Sequence, residues 1–173
     1  MTERSFTESI KQNRLILAVY LPVLIYSTCQ SLLVPVLPLF AKELDISYGL
    51  VGLVVAGESV GMLLGDVPAG MMLRVFGKKF GMVLGLTIST LTTLALFWLD
   101  VVPIIILLRI MAGFGIALFN IAIHAYIAEV VSNSNRGRSL ALWGGFMRVG
   151  RLVGPVIGGI VAAHYNLRAP FIV

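Results

Sequence analysis

The chain has 173 residues, of which 58% are hydrophobic and only 12% are charged, and its formal net charge is +5 at pH 7. Soluble domains carry roughly twice that charged fraction, so the composition excludes an ordinary soluble domain and predicts an integral membrane protein. The basic residues are divided among short polar segments instead of forming one tract or one amphipathic face, which argues against nucleic-acid binding.

The predicted fold class is an all-α integral membrane protein with about five transmembrane helices and the start of a sixth. A bilayer core needs about 20 apolar residues per helix. After a cytoplasmic segment at residues 1–14, the transmembrane domain covers residues 15–173. The predicted spans are Leu15–Ala41, Tyr48–Leu73, Phe80–Leu99, Val101–Val131 and Leu140–Ala163, with the sixth starting at 168–173. Arg74–Lys79 and Ser132–Arg138 are predicted as loops between spans.

The distribution of lysine and arginine predicts the orientation, because cytoplasmic loops carry an excess of these residues. The opposite side holds only Lys42 and Arg168. The basic residues on the side of the N-terminus are Arg4, Lys11, Arg14, Arg74, Lys78, Lys79, Arg136 and Arg138. Eight against two predicts a cytoplasmic N-terminus in a plasma (inner) membrane. The single Cys29 allows neither a disulfide framework nor a multi-cysteine metal site, and no metal or cofactor is predicted.

The most informative ionisable residues inside the predicted spans are Glu58, Asp66, Arg109, Arg148 and Arg151. Each costs about 2.5–3.5 kcal/mol near a bilayer centre, so such residues face a cavity or a partner. One interpretation makes Glu58 a carboxylate that loads and unloads a proton during a conformational change, with Asp66 and Arg109 as further proton-coupling candidates. The other is a fixed pair that only holds helices together, with Arg109 or Arg151 as the partner of Glu58.

Arg148 and Arg151 are three residues apart and therefore share one helix face. They either bind an anionic substrate group or pair with Glu58 and Asp66. Gln30 in the first span is a further substrate-cavity candidate. His124 is interpreted as a packed or hydrogen-bonded residue and not as a proton relay.

Glycines spaced by four form two stripes, at Gly57, Gly61 and Gly65 and at Gly150, Gly154 and Gly158. Such spacing lets helix backbones approach closely in lipid. Pro155 leaves the carbonyl of Arg151 without its usual helical donor, which favours a bend there. We expect both glycine-striped faces, and the most buried charges, to point towards a partner outside this chain.

These residues resemble the major facilitator superfamily, and most closely its proton-coupled drug antiporters. Every fixed position of the antiporter motif G-x-x-x-G-P-x-x-G-G is matched by Gly150, Gly154, Pro155, Gly158 and Gly159. The segment from Arg109 through Gly113 to Gly115 is similar to the core R-x-x-x-G-x-G of a second family motif, in which the resemblance associates the arginine with proton transfer.

A third family motif, G-x-L-A-D-R-x-G-R-K, is matched in part by Gly70, Gly77, Lys78 and Lys79. Its acidic position holds Arg74, so the charge relay that the resemblance attributes to this loop is altered. Glu129, at the end of the fourth span, is expected to compensate by pairing with Arg74 or Lys78.

The resemblance covers the whole chain. Family members usually have two six-helix halves, and this chain corresponds to only one of them. The resemblance implies that helices one and four line the substrate path, that two and five face the other half, and that three lies outside. The leading hypothesis is the N-terminal part of a transporter, not an enzyme, that exports a small amphipathic molecule in exchange for protons. The bilayer, the substrate, protons and a missing C-terminal half or second copy are its expected partners. Alternatives are an importer or organic-anion carrier of the same fold, or a non-transporting assembly subunit.

Overall fold

The computed structural model describes residues 19–43, 46–165 and 170, and this part of the chain is helical with short connections. The predicted cytoplasmic segment 1–14 and the start of a sixth span at 168–173 lie outside the described residues, except for Pro170. The helices are α1, Leu21–Glu43; α2, Tyr48–Phe76; α3, Lys78–Ala95; α4, Val102–Val130; and α5, Asn133–His164.

Local sequence explains several helix ends. Ser47 caps the start of α2, since its hydroxyl accepts a hydrogen bond from the amide of Leu50 at 3.4 Å. Gly77 separates α2 from α3 with φ +81°, a conformation that side chains other than glycine rarely adopt, and its amide donates to the Leu73 carbonyl at 3.0 Å. Pro103 lies in the first turn of α4, where its missing N–H costs nothing.

Four of the five described helices are long and apolar enough to cross a membrane: α1, α2, α4 and α5. The longest helix, α5, has 32 residues, and α2 and α4 have 29 residues each. A helix of 29 residues is about 43 Å long, against a hydrocarbon core of about 30 Å. The third helix has 18 residues, begins with Lys78 and Lys79 and contains five serines and threonines. This helix is therefore less apolar, over a membrane-spanning length, than the other four.

The predicted loop at Ser132–Arg138 is wrong, because α5 begins at Asn133. The predicted loop at Arg74–Lys79 is reduced to Gly77, and α3 ends at Ala95, four residues before the predicted end of its span. The differences at the two predicted loops share one cause. Hydropathy reports where the apolar solvent ends, whereas a helix continues beyond the bilayer as long as its backbone hydrogen bonds are made.

The helices pack as two groups. α4 lies between α2 and α3, and α1 packs along α5. Half of the most apolar window of α4 is buried, compared with 22% for α2 and for α5. α4 is therefore the central helix of the described structure.

Two apolar clusters fill opposite ends of the bundle. The first joins the second half of α1 to the starts of α2 and α4, and its buried members are Leu33, Val36, Leu37, Val54, Leu96 and Ile105. The second joins the start of α1 to the second half of α4 and to α5, and its buried members are Val19, Tyr20, Val23, Phe119, Ile123, Ile127 and Met147. Val54 and Ile105 lie one helical turn before the charged residues Glu58 and Arg109.

Candidate functional site

A buried ion pair joins α2 to α4. Arg109 Nη2 donates a hydrogen bond to Glu58 Oε2 at 2.6 Å. The side chain of Arg109 is only 6% exposed, whereas that of Glu58 is 26% exposed. Nε and Nη1 of Arg109 are also buried and have no hydrogen-bond partner among the described residues. The Glu58 carboxylate therefore accepts a hydrogen bond from one of the several donors of the guanidinium, and its side chain stays partly exposed.

Glycines on both helices make this pair possible. A Cβ at Gly57 would lie 3.0 Å from Cβ of Arg109, and one at Gly113 would overlap the backbone carbonyl of Glu58. Gly61 and Gly65 continue the contact along α4, where a Cβ at Gly61 would overlap the carbonyl of Ile110. The absence of side chains at these positions lets the two backbones touch, and the ion pair lies within that contact.

The second glycine stripe packs against α1. A Cβ at Gly150 or Gly154 would overlap the hydroxyl of Ser27 or Ser31, and one at Gly158 would overlap the Leu32 carbonyl. Ser31 Oγ also donates to the Gly150 carbonyl at 2.9 Å. At these glycines the contact between α1 and α5 joins neutral groups.

The expectation that the glycine-striped faces point towards a partner outside the chain is wrong for both stripes. They are buried against α4 and α1, because each glycine meets backbone or short side chains of a helix in this same chain. The expectation is also wrong for the most buried charge, since Arg109 faces α2. Within the antiporter motif, only Gly159 has open space where its Cβ would be, and Pro155 is half-buried inside a continuous α5.

Arg148, Arg151 and Asp66 lie on exposed surfaces of α5 and α2. Among the described residues, none of the three makes a hydrogen bond or an ion pair. Of the partners considered for Glu58, the structure therefore selects Arg109. It does not join either arginine of α5 to Glu58 or to Asp66.

Gln30 lies elsewhere, in a polar triangle between α1 and α3. Its Nε2 donates to Ser89 Oγ at 2.6 Å and to the Tyr26 hydroxyl at 3.1 Å, and Tyr26 donates to Ser89 at 3.2 Å. These three residues line a cavity of about 540 Å³ that Cys29 and Pro170 also line. None of the charged candidates in the spans lines this cavity.

Sequence reasoning missed Tyr26 and Ser89. Two signals were available. Tyr26 lies one helical turn before Gln30 on the same face of α1, and Ser89 continues the spacing of Gly81 and Gly85 on the face of α3 that packs against α4. The hydroxyl of Ser89 is small enough to remain in that close contact while it accepts hydrogen bonds.

The residues of the third motif gather at the end of the bundle where α2, α3, α4 and α5 meet. Lys78 pairs with Glu129, one of the two partners expected for that carboxylate. Arg74 and Lys79 are exposed, and Gly70 has open space around it.

Two further contacts join α4 to α5 near the same end. Arg136 Nη2 donates to the Ala128 carbonyl at 2.6 Å, which satisfies one of the orphan carbonyls at the end of α4. The His124 ring packs edge-on against Trp143, 4.2 Å between centroids. Within the described residues, no three histidine, cysteine, aspartate or glutamate side chains lie close enough to hold a metal ion.

Long apolar helices with a charge pair enclosed between two of them define the class as a multi-pass membrane protein. The family model described as Major Facilitator Superfamily matches residues 19–173. The chain belongs to the major facilitator superfamily, and the resemblance predicted from its motifs is confirmed.

The chain is similar to several curated proteins of bacteria. It is 30% identical over 140 residues to Multidrug resistance protein 2 of Bacillus subtilis (strain 168), a match that covers 81% of this chain and 35% of the relative. It is 25% identical over 175 residues to Multidrug resistance protein MdtG of Salmonella heidelberg (strain SL476), which covers 98% of this chain and 43% of the relative. The chain thus spans well under half the length of these relatives.

Proposed function

We propose that this chain is the N-terminal part of a secondary transporter that exports a small amphipathic molecule in exchange for protons. In this proposal the transporter works by alternating access in the plasma membrane, with its N-terminus in the cytoplasm. Glu58 carries the proton, Arg109 tunes that site, and a C-terminal half or a second copy supplies the other wall of the substrate path. The names of the relatives support export of drug-like molecules.

The observation that carries the proposal is the Glu58–Arg109 pair. A carboxylate in apolar surroundings is stabilised as an anion by a neighbouring guanidinium, and it favours the protonated form when that cation moves away. The two residues lie on different helices that touch through glycines. A small relative movement of α2 and α4 would change the separation of the two charges, and proton uptake would follow the conformational change.

The experiment uses the full-length transporter reconstituted in vesicles, with ethidium as the transported probe and an entrapped pH dye that reports proton flux. Glu58→Gln keeps a hydrogen-bond acceptor for Arg109, but the amide cannot bind or release a proton as a carboxylate does. We expect it to lose ethidium transport driven by a pH gradient and the proton flux coupled to it. Exchange of ethidium across vesicles without a gradient should continue, which shows that the variant is folded.

The matched control is Asp66→Asn, which removes an exposed carboxylate from the same helix. We expect this variant to retain gradient-driven transport. If Glu58→Gln transports ethidium with the same dependence on the pH gradient as the wild type, Glu58 is not the proton carrier.

A second candidate function is transport of an organic anion. The exposed positions of Arg148 and Arg151, and the lack of an acidic partner for either among the described residues, favour it. In that case Arg148→Gln with Arg151→Gln would abolish uptake of carboxyfluorescein while Arg138→Gln, an exposed charge of the same helix, would not. Unchanged carboxyfluorescein uptake in the double variant would exclude these arginines as anion anchors.

A further inference from the structure

The connection between α2 and α3 brings three basic residues to one helix end. Arg74 lies in the last turn of α2, Lys78 and Lys79 form the first turn of α3, and Gly77 is the only residue between the two helices. Helix ends of a membrane protein lie near the boundary between hydrocarbon and headgroups. The basic turn, residues 74–80, is therefore a surface that phospholipids contact.

Within the described part of the chain, only one of these three cations is neutralised by an acidic side chain. Lys78 pairs with Glu129, an acidic residue near the end of α4. Arg74 and Lys79 are exposed, and neither makes an ion pair among the described residues. Arg74 stands where the related motif carries an acid, so the substitution adds a positive charge and removes a negative one at this position.

Exposed apolar side chains lie next to the two unpaired cations. Val75 is 75% exposed, Phe76 is 59% exposed and Phe80 is 45% exposed. The rings of Phe76 and Phe80 contact each other across the turn, with 5.1 Å between centroids. Aromatic rings beside lysine and arginine suit the level of the bilayer at which the phosphate meets the acyl chains.

We propose that the basic turn binds an anionic phospholipid. Its phosphate lies between Arg74 and Lys79, and the part of its acyl chains nearest the headgroup packs on Phe76 and Phe80. Charge selects the headgroup. A zwitterionic lipid also brings an ammonium group, which the neighbouring cations Arg74 and Lys79 repel, and Glu129 is already paired with Lys78. A headgroup with net negative charge brings no such repulsion. This site is separate from the Glu58–Arg109 pair, and its test does not depend on transport.

The experiment measures lipid selectivity directly. The full-length protein is reconstituted in phosphatidylcholine, and electron spin resonance of spin-labelled phosphatidylglycerol gives its association relative to spin-labelled phosphatidylcholine. Each basic residue near an anionic lipid surface contributes a preference of about fivefold. We expect Arg74→Gln to reduce the preference for phosphatidylglycerol about fivefold, Arg74→Gln with Lys79→Gln to reduce it further, and Arg74→Lys to retain it.

The matched control is Arg138→Gln, which removes an exposed cation from the same end of the bundle but from another helix. We expect it to leave the preference unchanged. An equal loss in Arg138→Gln would mean that the whole end attracts anionic lipid, and the site at the turn would be rejected. An unchanged preference in the Arg74→Gln, Lys79→Gln protein would reject it as well.

A further arm distinguishes a lipid from a free phosphate compound. Glycerol phosphate is added to the same vesicles in excess over the spin-labelled lipid. We expect little displacement, because the soluble compound cannot contact Phe76 and Phe80. Complete displacement by glycerol phosphate would show a site for a free anion and would overturn the assignment to a lipid.

Discussion

The α2–α4 contact and the α1–α5 contact have the same glycine spacing but enclose different polar groups. Between α2 and α4 the backbones meet at Gly57, Gly61 and Gly65, and the Glu58–Arg109 pair lies inside the contact. Between α1 and α5 the glycines meet serine hydroxyls and a backbone carbonyl. The glycines themselves are therefore not what makes one contact a candidate for proton coupling.

In both contacts, a charged residue directly follows one of the glycines that touch the other helix. Glu58 follows Gly57 and reaches a buried arginine, whereas Arg151 follows Gly150 and lies on an exposed surface. The difference comes from the helix across the contact. α4 offers Arg109 opposite Glu58, while the described α1 residues opposite the glycines of α5 are neutral. The partner helix, and not the glycine spacing, determines whether a charge is enclosed.

The largest effect is expected from breaking the ion pair on one side. Glu58→Leu removes the carboxylate and leaves the Arg109 guanidinium buried without a counter-charge. Removal of one partner of a buried pair typically costs about 3–5 kcal/mol. We expect a loss of this order in the free energy of unfolding, measured for the purified protein in mixed micelles by titration with a denaturing detergent.

The control for this variant is Asp66→Leu, an exposed carboxylate of the same helix, for which a small change is expected. Glu58→Leu combined with Arg109→Leu should recover much of the loss, since no charge is then left buried. If Glu58→Leu costs no more than Asp66→Leu, the pair does not stabilise the α2–α4 contact.

Smaller effects are expected from adding a methyl group to the glycines of either contact. Gly61→Ala and Gly158→Ala each place a Cβ against a backbone carbonyl, of Ile110 and of Leu32, so the helices must separate. Overpacking of this kind costs about 1–3 kcal/mol. We expect both variants to lower the free energy of unfolding measured in the same micelles.

Gly159→Ala is the matched control, because nothing lies within 4 Å of its Cβ position. In a helix, alanine is favoured over glycine by about 1 kcal/mol, so this variant should be neutral or stabilising. If Gly158→Ala behaved as Gly159→Ala does, the α1–α5 contact would be looser than the α2–α4 contact, and the two would not be equivalent.

The sequence allowed close backbone contacts at the two glycine stripes to be predicted, but their partners were wrongly expected outside this chain. A spacing of four shows that Gly57, Gly61 and Gly65 share one face, yet only the three-dimensional arrangement brings Gly113 of α4 opposite them. The cost of a buried charge likewise predicts that Glu58 has a partner. The choice between Arg109 and Arg151 depends on how α2, α4 and α5 are arranged, which spacing along one helix does not encode.

Helix ends and the neutral polar network were the least predictable features. The polar segment from Asn133 to Arg138 was predicted as a loop, because hydropathy indicates whether a segment lies in lipid or in water and not whether its backbone is helical. Tyr26, Gln30 and Ser89 were not predicted as a group, because their hydrogen bonds join α1 to α3 across 59 or more positions of sequence. Neutral residues also carry little insertion penalty, so the charge argument that identified Glu58 did not apply to them.

The smallest effect separates the neutral contact from the charged one. Ser31 Oγ donates to the Gly150 carbonyl of α5 at 2.9 Å, and it also lies 2.6 Å from the Ser27 carbonyl of its own helix. Ser31→Ala removes the bond between the helices. Because the donor itself is removed, no donor is left without a partner. Such bonds average about 0.6 kcal/mol in membrane proteins, so we expect a decrease of that size in the free energy of unfolding.

Thr87→Ala is the control for Ser31→Ala, because the Thr87 hydroxyl donates to the Val83 carbonyl within its own helix, α3. Its change should be smaller than that of Ser31→Ala. A loss for Ser31→Ala as large as that for Glu58→Leu would contradict the comparison, since a neutral hydroxyl would then hold α1 and α5 together as strongly as an ion pair holds α2 and α4. With the expected small loss, close packing at the glycines accounts for most of the α1–α5 contact, whereas the α2–α4 contact also depends on the opposite charges of Glu58 and Arg109.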